Sequence, residues 1–188
     1  MGVYDEIAEV FEKRGAGAYF GEPVSQLEHA LQAAHFATEE KAPDAMVVAA
    51  LLHDIGHLLE EVPEDIAEQG IDAHHEQIGL AWLQKRFESE VSEPVYLHVA
   101  AKRYLCATNA EYLGKLSPAS VLSLKLQGGP MSDAQVKEFE GHRYFREALR
   151  LRLWDDRSKI EGLATAPLES YVSMIEAAAH RSKKPVKK

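Results

Sequence analysis

Cysteine is nearly absent from this chain: Cys106 is the only one in 188 residues, which excludes an internal disulfide and a thiolate-rich metal site. A long apolar run is missing too. No stretch approaches the ~20 residues that a membrane span requires. Asp5, Glu6, Glu9 and Glu12 break up any apolar segment near the start, so a secretory signal is not expected there. Positive charge is in short supply, with 21 Lys and Arg against 30 Asp and Glu, a net charge of −9. That balance argues against nucleic acid or an anionic membrane as a partner. Alternation of period two is also lacking, so no significant sheet is expected. These absences leave a cytoplasmic, all-α protein, read as a single domain over residues 1–188 with 181–188 as a short basic, solvated tail.

What is present is a succession of helices. Val3 to Arg14 forms the first and stops at the glycines Gly15 and Gly17. A loop through Tyr19 and Glu22 leads to a second helix, with Pro23 in its first turn and a capping box of Ser25 and Glu28. Asp44 caps a third helix, Ala45 to Leu59, which is apolar all round and therefore central. Further helices are expected from Asp72 or Ala73 to about Phe87, from Pro94 to Ala107, and from Ser117 and Pro118 up to Gly128. Three more are expected beyond these: one from Ser132, one from Arg143 to Lys159, and one near Leu168 to His180.

His53, Asp54 and His57 interrupt the apolar run of the central helix, where the burial of polar groups is costly unless something satisfies them. A metal ion does so directly, and a carboxylate next to a histidine can bridge to a second ion. His75 shares a face with Ile78, Gly79 and Trp82, and His98 shares one with Val95, Lys102 and Leu105. His29 lies between Leu27 and Leu31, and Asp155 ends the apolar stretch Leu151 to Trp154. Four histidines and two aspartates, all inward-facing on five helices, are hard to explain without metal. The other histidines do not fit. His74 lies about 100° from His75 and His35 about 240° from His29 around their helices, while His142 sits in a turn and His180 near the end. Imidazole and carboxylate suit iron, zinc or manganese; two such ions can clamp a phosphoryl or phosphonyl group, or activate dioxygen if they are iron.

The order His29, His53-Asp54, His75, His98, Asp155 resembles that of the HD-domain superfamily. The stretches Tyr19 to His29, Ala50 to His57, His75 to Gly79, His98 to Leu105, Gln127 to Met131 and Trp154 to Lys159 resemble a narrower branch: the PhnZ-type mixed-valent di-iron oxygenases that cleave the carbon–phosphorus bond of 1-hydroxyphosphonates. The resemblance implies an HD-domain helical bundle. It implies that His29, His53, Asp54 and Asp155 hold one iron of an Fe(II)/Fe(III) pair, and His75 and His98 the other, with Asp54 bridging. His57, Lys102 and Ser120 would bind the phosphonate oxygens. Tyr19 would occupy the second iron until substrate displaces it and dioxygen enters, with Glu22 beside it.

The implied substrate is a small organophosphonate, 2-amino- or 2-trimethylammonio-1-hydroxyethylphosphonate, giving glycine or glycine betaine plus inorganic phosphate. The alternative is an HD phosphohydrolase acting on a nucleotide or small phosphate ester, which would share the metal core but have no need of Tyr19. Oxidative cleavage of a polyol such as inositol ranks below it. A degenerate regulatory module has usually lost ligands, whereas this chain keeps the full set.

Overall fold

The computed structural model describes residues 2–60 and 69–180. Helices dominate. In chain order they are α1 (Val3–Arg14), α2 (Gln26–Glu39), α3 (Asp44–Leu52), α4 (Ile55–Leu59), α5 (His75–Leu83), α6 (Ser89–Thr108), α7 (Ala110–Leu113), α8 (Pro118–Leu126), α9 (Asp133–Glu140), α10 (Phe145–Arg157) and α11 (Val172–Ala178). A 3-10 turn, Leu168–Tyr171, leads into α11. The expected basic tail, 181–188, lies outside the described residues.

The middle of the bundle is α3, where every residue from Met46 to Leu52 is buried. It packs on α2 and α6, and α10 lies against α6 and α2. Small residues let the backbones close up: Ala33, Ala34 and Ala37 on α2 meet Ala49 and Ala50 on α3 in one continuous core. A smaller apolar cluster, Leu97, Ala101, Phe139, Tyr144 and Ala148, fixes the far end of α6 against α9 and α10. Ser25 caps α2 as expected. Its hydroxyl accepts from the Glu28 amide at 3.2 Å, and its own amide donates to the Glu28 carboxylate at 2.7 Å.

Four expectations need correction. Residues 18–25 are not a plain loop: β1 (Ala18–Tyr19) and β2 (Glu22–Ser25) pair antiparallel in a small hairpin, so Pro23 sits in a strand and the helix starts at Gln26. Pro23 needs no amide partner on this edge, and the cap belongs to Ser25. Ala45 to Leu59 is not one helix. The backbone leaves the helical path at Asp54 (φ −103°, ψ 13°), so α4 starts afresh after it. The helix expected from Asp72 or Ala73 begins only at His75, because His74 takes the left-handed conformation (φ 49°). Finally, α6 begins at Ser89 rather than Pro94. The buried Val91 and Ser92 anchor the extra turn, and Pro94 is accommodated inside the helix.

The break at Asp54 lets α4 pack closely on α5. A Cβ on Gly56 would lie 2.0 Å from the His75 carbonyl oxygen and 3.0 Å from the Gly79 amide nitrogen. Only glycine lets α4 come this close to α5, and that approach carries His75 to Asp54. Gly56→Ala is therefore expected to cost about 1–3 kcal/mol, a drop of roughly 5 °C in Tm for a chain of this size. Thermal unfolding with metal analysis checks it, and an unchanged Tm would contradict the close approach.

Candidate metal centre

Four elements and the α3–α4 break bring six side chains to one buried point. His29 comes from α2, His53 and Asp54 from the break, His75 from the first turn of α5, His98 from the middle of α6 and Asp155 from α10. All six are buried. His29 Nε2 and His53 Nε2 are 3.0 Å apart, and His75 Nε2 and His98 Nε2 are 3.1 Å apart. Asp54 joins the two pairs. Its Oδ2 lies 3.7 and 3.5 Å from the first pair, and its Oδ1 lies 3.4 and 3.5 Å from the second. Asp155 Oδ1 adjoins the first pair at 3.4 and 3.7 Å.

The outer ring nitrogens fix the chemistry of the inner ones. His29 Nδ1 faces the Ser158 carbonyl at 2.7 Å, His53 Nδ1 the Ala50 carbonyl at 2.8 Å, and His98 Nδ1 the Val95 carbonyl at 2.5 Å. A carbonyl can only accept, so each Nδ1 carries a proton and each neutral ring turns the Nε2 lone pair inward. The interior of the cluster is then nearly all acceptors: imidazole lone pairs and carboxylate oxygens. Tyr19 supplies a hydroxyl donor, 2.7 Å from Asp54 Oδ2. Asp155 Oδ1 has no hydrogen-bond donor at all. With protons alone, the balance falls on His53. Burial opposes its charged form, but Asp54 and Asp155 outweigh burial and hold it up at about 9. Asp54 is held well below the usual carboxylate range, because His53, His98, His75 and His57 overcome the cost of burying it. Metal cations resolve the same conflict without stray protons, so the residues fit two ions. His29, His53 and Asp54 form one group able to hold an ion, and Asp54, His75 and His98 form the other.

A cavity of about 560 Å³ opens beside this cluster. Of the side chains expected to bind an anion, Lys102 is buried and donates to Ser123 Oγ at 2.8 Å; burial, helped by Arg152, brings its pKa down to about 7. His57 stacks on His75 with ring centroids 4.0 Å apart, its Nδ1 has no partner, and burial lowers its pKa to about 4. It is therefore a neutral hydrogen-bonding group at neutral pH. Ser120 is buried at the start of α8, with Lys159 Nζ 3.3 Å from its hydroxyl. Tyr19 stacks on His29 at 3.7 Å, and its hydroxyl donates to Asp54 Oδ2 at 2.7 Å. Glu22 lines the cavity and is ion-paired with Lys159 at 3.2 Å. Among the described residues, His35, His74, His142 and His180 belong to neither group able to hold an ion.

Sequence reasoning missed several neighbours. Arg152 is buried behind Asp155, with Nη1 2.8 Å from Asp155 Oδ2; its Nε donates to Tyr112 Oη at 3.0 Å, and a short ion pair ties it to Asp156. Its signal was available: a charged residue set in the apolar stretch Leu151 to Trp154, three positions before Asp155. Ser123, Gln127 and Phe20 also line the cavity. Lys159 holds Glu22 and reaches the hydroxyls of Ser117 and Ser120 at 3.4 and 3.3 Å.

The chain is similar to known proteins over most of its length. The HD domain family profile matches residues 26–132. A hydroxymethylphosphonate dioxygenase of Gimesia maris is 45% identical over 166 residues, covering 88% of this chain and 83% of that protein. The [1-hydroxy-2-(trimethylamino)ethyl]phosphonate dioxygenase (glycine-betaine-forming) of Leisingera caerulea is 40% identical over 174 residues, covering 93% of this chain and 89% of its own. The chain belongs to the HD-domain family, in the branch that holds these phosphonate dioxygenases.

Proposed function

We propose that this protein is a cytoplasmic di-iron oxygenase that cleaves the C–P bond of a 1-hydroxyphosphonate. The observation that carries the proposal is the division of Asp54 between two histidine pairs, beside a cavity furnished with Lys102, His57 and Ser120. Both relatives are named as dioxygenases of such phosphonates, which favours this reading over the phosphohydrolase. One substrate and one O₂ give one carboxylate and one inorganic phosphate, so both atoms of dioxygen are accounted for. His29, His53, Asp54 and Asp155 would hold one iron, and Asp54, His75 and His98 the other. An Fe(II)/Fe(III) pair held there would supply the activation of dioxygen and the oxidation of C1.

The remaining work belongs to the chain. Lys102 and Ser120 hold phosphonate oxygens, Lys102 as a buried cation whose charged form an anionic ligand favours. His57 donates a hydrogen bond to the same group from its stack on His75. Tyr19 gives up its bond to Asp54 when substrate enters.

No described helix is long and apolar enough to cross a membrane, and the lone cysteine suits a reducing compartment. The test is to purify the protein anaerobically with Fe(II), quantify iron, and follow oxygen uptake with hydroxymethylphosphonate and its 2-amino and 2-trimethylammonio homologues. The expected result is two irons per chain, a half-integer-spin EPR signal that changes with substrate, and phosphate released in step with oxygen consumed. No uptake with any of the three rules the function out.

A further inference from the structure

Phe20 occupies a conformation that its side chain does not favour. The hairpin pairs Tyr19 with Glu22, leaving Phe20 and Gly21 as a two-residue loop, and both have positive φ, 45° and 77°. Such a turn suits Asn-Gly, and a bulky residue at its first position is strained. Strain of this kind persists only where something in the surroundings holds it. Among the described residues, Phe20 belongs to neither apolar core, so core packing does not hold it. Its ring contacts are Tyr19, edge to face at 5.2 Å, and His57, edge to face at 4.6 Å. One of these rings bonds Asp54 and the other stacks on His75. Phe20 thus stands in the cavity wall between the two flanks of the cluster, where the apolar residues Leu122 and Leu126 of α8 also line the space.

We propose that Phe20 is a specificity-determining residue: its ring, held inward by the strained turn, walls off the space available to the substituent on C1, so that the site favours 1-hydroxyphosphonates bearing hydrogen or a short alkyl group there. This rests on the function proposed above. The polar end of the cavity, with Lys102 and Ser120, takes the phosphonate that every such substrate shares, so discrimination falls to the apolar wall. A hydrophobic wall of this type discriminates by about 10-fold or more per added methylene.

The test compares kcat/KM for hydroxymethylphosphonate and 1-hydroxypropylphosphonate in the iron-loaded wild type, Phe20→Leu, Phe20→Ala and Phe20→Gly, with Tm measured for each. Phe20→Ala is expected to raise the propyl-to-methyl ratio by about tenfold, with Phe20→Leu in between. Phe20→Gly is expected to raise the ratio as well, and to melt about 2–4 °C above Phe20→Ala, because glycine accepts positive φ freely. A ratio unchanged within about twofold in folded Phe20→Leu and Phe20→Ala overturns the role of Phe20 while leaving the oxygenase reading intact. A wild type inert toward every 1-hydroxyphosphonate overturns both.

Discussion

Asp54→Asn is expected to strip both metal positions at once and to lower oxygen consumption by a factor on the order of 10³, the scale of losing several kcal/mol of metal-based stabilisation. Each oxygen of Asp54 serves a different histidine pair. A neutral amide keeps the shape but loses the negative charge and turns N–H donors toward lone pairs that a cation should meet. The fold should survive, since the amide supplies donors to a cluster of acceptors. His98→Gln, by contrast, touches only the second pair and should remove about one ion while sparing the first. Iron quantitation beside oxygen uptake separates the two. An Asp54→Asn protein that keeps both irons and a tenth of wild-type turnover would refute the bridging role.

The second large effect is expected at Arg152. Its guanidinium is buried against Asp155 and the partly exposed Asp156. Arg152→Met would leave those carboxylates without their cation, and breaking a buried pair in this way costs about 3–5 kcal/mol. For a chain of this length that is a Tm roughly 10 °C lower. The pH dependence distinguishes this loss from one of simple packing. In the wild type, burial alone would raise the Asp155 pKa, but Arg152 and then His29 and His53 hold it well below the usual range. Its contribution is therefore present above the unfolded value of about 4 and lost as the pH falls through the folded value. Without Arg152 the buried carboxyl takes up a proton at higher pH. The deficit of the variant should be greatest near neutrality and shrink on acidification. Metal-free protein unfolded at several pH values provides the measurement; a deficit independent of pH would point to packing instead.

How far the sequence carried depended on the type of signal. The inward histidines were legible because each shares a helical face with apolar neighbours: His75 with Ile78 and Gly79, His98 with Val95 and Leu105. The helical class came from the same periodicity, and the capping box of Ser25 and Glu28 was legible, although Pro23, expected in the first turn, lies in a strand before it. The break at Asp54 was not legible. Met46 to Leu59 is uniformly apolar around His53, Asp54 and His57, and nothing local says that the backbone must turn there. It turns because of a distant partner, the α5 backbone that Gly56 admits. Arg152 escaped for a related reason: an arginine is ordinarily assigned to the solvent, and although Asp155 and Asp156 lie one turn on in the same helix, only the fold buries the group and brings Tyr112 to it. The hairpin at 18–25 is too short for a period-two pattern to emerge.

Three of the four cluster imidazoles are anchored from behind by main-chain carbonyls, those of Ser158, Ala50 and Val95. Every residue type carries such a carbonyl, so no exchange of side chains at those positions can delete the anchor. Ring orientation is thereby insulated from mutation, while the cavity walls a few ångströms away remain free to vary. A lineage built this way can try out new substrates by altering its lining without first risking its catalytic metals.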